Sequence, residues 1–297
     1  MNTVPHDFRA GYVALIGLPN AGKSTLMNAL LDVKLSIISS KPQTTRRRVL
    51  GILNQDMMQV VFMDTPGILK PGYALQEKMM EQVSRALDDA DLLLFIVDIT
   101  DKKHPLQLDL QKINPQSKPV LLLLNKIDLQ PKEVLLNLIE KYRGHYPFKA
   151  IIPVSALNSD GTDLLQKELL RHLPLSPPYY PPDTLTDQPE RFFIAEIIRE
   201  KIFERFYQEV PYSTEVVVEE FKERPKGKDY IYAVIMVERK TQKGILIGKG
   251  GQILKKIGAE ARRDIQELLG RQVFLELRVK VNEDWRKKDV KLRRLGY

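Results

Sequence analysis

Gly17-Leu18-Pro19-Asn20-Ala21-Gly22-Lys23-Ser24 fits the pattern G-x-x-x-x-G-K-[ST], and its flanks leave few folds open to this chain. Tyr12–Ile16 is a short apolar run that reads as a buried strand, and Thr25–Leu31 reads as the opening of a helix. A strand that turns through glycines into a helix aims backbone N–H groups and the positive end of the helix dipole at one point. A phosphate fits that point. Lys23 reaches the outer phosphates of such a loop, and the Ser24 hydroxyl ligates Mg²⁺. A turn that bound nothing would not need all eight positions. Pro19, Asn20, Ala21, Gly22, Lys23, Ser24 and Thr25 are therefore candidate nucleotide contacts.

The same alternation of strand and helix continues to about residue 172. Apolar runs at Met58–Met63, Leu92–Val97, Val120–Leu124 and Ala150–Val154 alternate with helical candidates at Ser24–Leu31, Leu75–Leu87, Leu106–Ile113, Glu133–Tyr142 and Asp163–His172. This predicts an α/β fold: a doubly wound, mainly parallel sheet covered on both faces, with ligand loops at the carboxyl ends of its strands. Leu173–Pro189 is rich in proline and lacks helical period, so it reads as a stiff linker. Beyond it the pattern changes to helix, strand, strand, helix, helix, strand, a smaller α+β unit. The expected division is 1–173, a linker at 174–189, and 190–297. The aromatic residues of Phe192–Tyr207 fall at helical spacing and read as core.

Charge separates the two parts. The chain of 297 residues has a formal net charge of +8, and Gly248–Tyr297 carries 14 basic against 7 acidic residues. Nearly all the excess lies in the last fifty residues, which points to a polyanionic partner there. Cysteine is absent, so disulfides, thiolate metal sites and a cysteine nucleophile are excluded. That composition fits a reducing cytoplasm. No apolar run approaches the length of a membrane span. His6, His104, His145 and His172 are scattered without ligand spacing.

Three further motifs follow the phosphate loop in order. Asp64-Thr65-Pro66-Gly67 ends the Met58–Met63 strand, where a carboxylate suits Mg²⁺ and a glycine N–H can approach the terminal phosphate. Asn125-Lys126-Ile127-Asp128 ends the Val120–Leu124 strand. A carboxylate at Asp128 accepts two hydrogen bonds from the N–H and NH₂ edge of guanine, which adenine lacks. Asn125 would hold the loops together while the Lys126 stem packs over the base. Ser155-Ala156-Leu157 follows the last strand, and its amides can meet the guanine carbonyl. This argues for GTP and GDP over adenine nucleotides.

Together with Gln43-Thr44-Thr45-Arg46, these motifs resemble the Era-type GTPases of the TrmE–Era branch of translation-factor-like GTPases. Gly248-Lys249-Gly250-Gly251 before a basic helix resembles the GXXG loop of a type II KH module, which clamps single-stranded RNA. The resemblance covers nearly the whole chain. It implies a P-loop GTPase domain followed by a KH domain, with Lys23, Thr45, Asp64 and Gly67 serving hydrolysis. It makes Thr45 the switch threonine on Mg²⁺ beside Ser24 and Asp64, with Thr44 as the competing choice. It also implies a K⁺ ion at Asn20. RNA contacts are expected from Gly248, Lys249, Gly250, Gly251, Lys255, Lys256 and Arg262.

The resemblance further implies small-subunit ribosomal RNA and the pre-ribosomal small subunit as partners. A monomer in the cytoplasm is expected, with peripheral contact at the inner face of the cell membrane. Ile68 stands where Ras-like proteins carry a water-orienting Gln, so unassisted hydrolysis is expected to be slow. The tail Trp285-Arg286-Lys287-Lys288, with Lys291, Arg293 and Arg294, reads as an extension of the RNA surface, a lipid contact, or a solvated face. Two other functions compete: an RNA-binding module with an idle nucleotide site, and a membrane-signalling GTPase.

Overall fold

Leu92–Val97 and Val120–Leu124 have no polar residue, and every side chain in both is buried, as strands covered on two faces require. They are adjacent interior strands of a six-stranded sheet in the computed structural model, which describes residues 5–39, 41–101, 110–114 and 118–297. The chain divides into two units, one of residues 1–70 and 79–187, the other of 71–78 and 188–297.

The first unit runs β1 (Arg9–Ile16), α1 (Lys23–Leu31), β2 (Val49–Gln55), β3 (Met58–Asp64), α2 (Ala74–Asp89, whose residues 74–78 count with the second unit), β4 (Leu92–Asp98), α3 (Leu110–Ile113), β5 (Val120–Asn125), α4 (Lys132–Arg143), β6 (Ala150–Val154) and α5 (Thr162–His172). The sheet order is β2-β3-β1-β4-β5-β6. All neighbours are parallel except the β2–β3 pair. The phosphate loop, Asp64, Asn125 and Ser155 thus all lie at or just past the carboxyl ends of parallel strands, on one side of the unit. Strand β2 was not anticipated from sequence. Of the helical candidate Leu106–Ile113, residues 106–109 lie outside the described residues.

The proline-rich stretch lies against this sheet. The Ile52 amide bonds to Leu185 O at 2.8 Å, Thr186 Oγ1 donates to Leu50 O at 2.7 Å, and Asn54 Nδ2 donates to Thr184 O at 3.2 Å. Residues 184–186 so cover the open edge of β2. Gln59 of β3 secures the stretch from beneath. Its Oε1 accepts the amides of Tyr179 (2.7 Å) and Tyr180 (3.0 Å), and its Nε2 donates to Tyr180 O (2.8 Å) and Asn54 Oδ1 (2.7 Å). The side chain is completely buried and fully bonded.

The second unit runs α6 (Glu190–Arg205), α7 (Glu209–Tyr212), β7 (Glu215–Lys222), β8 (Asp229–Val237), α8 (Lys240–Ile247), α9 (Gln252–Leu269), β9 (Val273–Val281) and α10 (Asp289–Arg294). Apart from the short α7 and α10, this is the helix, strand, strand, helix, helix, strand order of the sequence reading. Strand β8 is central, antiparallel to β7 and parallel to β9. Ile231, Ala233, Ile235 and Val237 of β8 bury against Ile194, Ile198 and Ile202 of α6 and Ile257, Ala261 and Ile265 of α9. Trp285 belongs to the interior: it is completely buried and its Nε1 donates to Ser213 O at 2.9 Å. Arg286 pairs with Glu238 at 2.6 Å. The exposed cations of the tail are Lys287, Lys288, Arg293 and Arg294.

Gln59→Leu leaves two amides and a carbonyl of the stretch without partners. Denaturant melts should show a loss of about 2 kcal/mol or more. An unchanged midpoint would mean that Gln59 does not secure the segment.

Candidate nucleotide and RNA sites

Glycine is forced at two points of the phosphate loop by what passes beside it. A Cβ on Gly17 would lie 2.3 Å from Ile96 O of β4, and one on Gly22 would lie 2.1 Å from Asn125 Nδ2. Gly22 also has φ 95°, which side chains resist. With Gly22 bare, Asn125 reaches across: its Nδ2 donates to Ala21 O at 2.8 Å, and its Oδ1 accepts the Ala156 amide at 2.9 Å. One buried amide thus joins the phosphate loop, the Asn125–Asp128 loop and the Ser155–Leu157 loop.

Lys23 opens α1 and folds back over its own loop, donating to Leu18 O at 2.9 Å and Gly17 O at 3.3 Å. Burial pushes its ammonium down to about 8, against the opposing pull of Asp64. A cation held this way gains from an arriving phosphate.

Three oxygens meet below the loop. Ser24 Oγ donates to Asp64 Oδ2 at 2.7 Å and lies 3.0 Å from Thr45 Oγ1, which is 3.4 Å from Asp64 Oδ2. Burial pushes the Asp64 carboxyl up, while the Ser24 hydroxyl, Lys23 and Thr45 pull it down. Asp64 Oδ1 is buried without a hydrogen-bond partner among the described residues. A buried, orphaned carboxylate oxygen beside two hydroxyls suits a hard divalent cation. Adjacent ligands of octahedral Mg²⁺ are about 3 Å apart, given bonds of about 2.1 Å. These residues fit Mg²⁺, and Thr45, rather than Thr44, makes the contact to Ser24.

The Asp64–Gly67 turn presses on the phosphate loop. The Ile68 amide bonds Gly17 O at 2.9 Å, and a Cβ on Gly67 would lie 2.5 Å from Pro19 N. Thr65 Oγ1 is committed to Leu15 O at 2.6 Å, and Pro66 is buried away from the cleft, so both shape the turn. Ser155 also shapes a turn. It exchanges backbone bonds with Asp160 (3.0 and 3.1 Å), and its Oγ accepts the Asn158 amide at 3.3 Å.

These elements enclose a cleft of about 610 Å³ lined by residues 18–25, Thr45, Thr65 and Gly67 at one end. Lys126, Asp128, Ala156 and Leu157 line the other. Its size suits a nucleotide. Asp128 is exposed in the cleft, and Leu157 is 77% exposed, an apolar surface where a base would lie. The sequence reading missed Asp98. Lys126 Nζ donates to Asp98 Oδ2 across the β4–β5 pair. Burial pushes the Asp98 carboxyl up, but Lys126 and Thr100 outweigh it and hold it below its ordinary value. An acid ending an apolar strand, as Asp64 does, was the available signal. Ile37, Ile38, Ser39 and Leu129 also line the cleft and carry no motif.

In the second unit Gly248, Gly250 and Gly251 have φ of 72°, 59° and 77°. A Cβ on Gly250 or Gly251 would meet nothing within 4 Å, so that side of the loop is open for a ligand. Lys249 is exposed. Beside the loop a groove of about 410 Å³ has Leu254, Gly258, Leu275 and Leu277 in its lining, with Lys255 and Arg262 among them. Lys256, also named from sequence, is exposed on α9 outside this lining.

Two family models match the chain. Residues 12–126 match a 50S ribosome-binding GTPase model and residues 209–286 match a KH domain model. The chain is 48% identical over 294 residues to GTPase Era of Geotalea daltonii and 49% identical over 292 residues to that of Geotalea uraniireducens. Each alignment covers 98% of both proteins. Among solved structures, an Era variant of Aquifex aeolicus bound to GDP·AlF₄⁻ superposes with a TM-score of 0.94 at 42% identity, covering 98% of this chain and 99% of that one. A crystal structure of Era with MgGDPNP and nucleotides 1506–1542 of 16S ribosomal RNA gives the same TM-score, identity and coverage. This chain therefore belongs to the Era GTPase family.

Proposed function

We propose that the chain is a slowly hydrolysing GTP switch that binds small-subunit ribosomal RNA through its KH unit and acts in small-subunit assembly. The functional parts follow 1–173 for nucleotide, 174–189 as connection, and 190–297 for RNA. One observation carries the nucleotide half. A single cleft holds a phosphate loop at one end and the exposed carboxylate of Asp128 at the other. The RNA half is supported by the open glycine loop and basic-rimmed groove, and by the Era relative that was crystallised with 16S ribosomal RNA.

Backbone amides of residues 20–24 and the Lys23 ammonium cradle the phosphates, while Asp128 orients the guanine. Ser24, Thr45 and Asp64 hold Mg²⁺, which when bound neutralises phosphate charge. Thr45 and Gly67 lie in the segments 39–48 and 67–78, which we assign as the switches ordered by the terminal phosphate. Ile68 packs against the core of the first unit and has no group to orient water. Turnover without a partner should be near or below about 10⁻⁴ s⁻¹. We assign K⁺ at Asn20 as the cation that compensates. The φ of 64° at Asn20 also suits an Asn that only shapes the loop. We propose a cytoplasmic monomer, with Lys287, Lys288, Arg293 and Arg294 available to anionic lipid at the inner membrane face. Among the described residues no helix is long and apolar enough to cross a membrane.

Asp128→Asn should lower GTP affinity at least about a hundredfold, since two charge-assisted bonds are lost. Xanthosine triphosphate, with a carbonyl in place of the amino group, should bind the variant better than the parent. Undiminished GTP affinity in calorimetry would refute base selection by Asp128. Asn20→Gly keeps a left-handed loop without the amide oxygen, so hydrolysis in K⁺ should fall to the rate in Na⁺. Equal rates in the two salts for the parent chain would remove the K⁺ assignment. The RNA fragment 1506–1542 should bind with different affinity under GDP and under a nonhydrolysable GTP analogue. Equal affinities would leave no coupling between the sites.

A further inference from the structure

The groove beside Gly248–Gly251 leads to a surface that the reading above leaves unused. Strand β9 returns antiparallel to α9. The Val273 amide bonds Gln266 Oε1 at 3.1 Å, and a Cβ on Gly258 would lie 3.4 Å from Leu277 Cδ1. A groove that starts at the glycine loop therefore runs along α9 toward Arg262 and along β9 toward Leu275. The next residue outward, Phe274, emerges on the opposite face of the sheet.

Phe274 is 53% exposed. It stacks on Tyr230 of β8, with ring centroids 6.0 Å apart and planes 14° apart. Lys222 Nζ and the Arg224 guanidinium lie 5.9 and 5.8 Å from the Tyr230 ring centroid. The hairpin between β7 and β8 adds the exposed Lys226 and Lys228. The acids nearby are largely engaged. Glu220 pairs with Lys222 at 2.7 Å, Glu276 accepts the Tyr230 hydroxyl at 2.9 Å, and Asp229 and Glu223 face Arg271 at 2.5 and 3.8 Å. Arg224, Lys226 and Lys228 make no ion pair among the described residues. An exposed Phe274 stacked on a half-buried Tyr230, beside cations without ion pairs, suits unpaired bases and their phosphates.

We infer that Tyr230 and Phe274, with Lys222, Arg224, Lys226 and Lys228, form a second contact surface for single-stranded RNA, receiving nucleotides that leave the groove at its Arg262–Leu275 end. The inference rests on the groove being the RNA site. It commits to RNA because the surface continues that groove and joins ring faces to positive charge.

The test uses the full chain with Mg²⁺ and a nonhydrolysable GTP analogue. Affinity is measured for the RNA fragment 1506–1542 and for versions shortened stepwise from each end. Phe274→Ala should weaken the full fragment about fivefold or more, the loss of one stacked base. It should match the parent chain on RNAs shortened from one end, and Phe274→Tyr should restore affinity. Lys249→Ser should weaken every RNA. Thermal melting and RNA-free GTP turnover of Phe274→Ala should match the parent. Loss within twofold on the full fragment, or equal loss on every length, overturns the second surface alone. Reduced capture by anionic vesicles without any RNA effect would also overturn it, in favour of lipid. A parent chain that binds none of the RNAs overturns the groove reading as well.

Discussion

The Asn125 side chain is the contact on which the nucleotide site depends. Its amide bonds Ala21 O and the Ala156 amide, so loops that follow β1, β5 and β6 cannot drift apart. The contact exists because Gly22 has no side chain: a Cβ there would lie 2.1 Å from the Asn125 amide nitrogen. The sheet makes the reach possible by stopping its parallel strands at one level. The Ser24, Thr45 and Asp64 oxygen cluster is built the same way. Asp64 ends β3, Ser24 opens α1 and Thr45 precedes β2, three separate segments that converge on oxygens about 3 Å apart.

The second unit solves a different problem with similar means. Glycines at 248, 250 and 251 take left-handed backbone angles, and the loop keeps its outer side clear. The helix that follows buries Ile257, Ala261 and Ile265 and leaves Lys255 and Arg262 at a groove. The basic excess of the last fifty residues is thus only partly available to a polyanion. Arg286 is spent on Glu238, and Trp285, which the sequence placed at the head of a basic tail, fills the core.

Much of this was legible in residue order. Contiguous loops after apolar strands carry their signal in few residues, so the segments that gather at the strand ends, the phosphate loop, Asp64, Asn125 and Asp128, could be singled out as candidates without coordinates. The helix Gln252–Leu269 was readable because its apolar positions keep helical period. What escaped lacks a local signal. Strand β2 carries Gly51 in its middle, where a Cβ would lie 2.6 Å from Leu31 Cδ1, and it follows a polar stretch. Residues 184–186 lie along β2 because their bonding partners come from β2 itself, more than a hundred residues earlier in the chain. Asp98 finds Lys126 only through the β4–β5 register. Thr44 and Thr45 are alike in sequence, and only the approach to Ser24 separates them.

The most direct measurement is calorimetric titration of GDP·Mg²⁺ into an Asn125→Ala chain. If one buried amide holds the three loops in register, GDP affinity should fall at least about tenfold, since Ala21 O and the Ala156 amide lose their partner. Parental affinity in that variant would mean that the loops keep their places without the clasp, and the account of the site would be wrong.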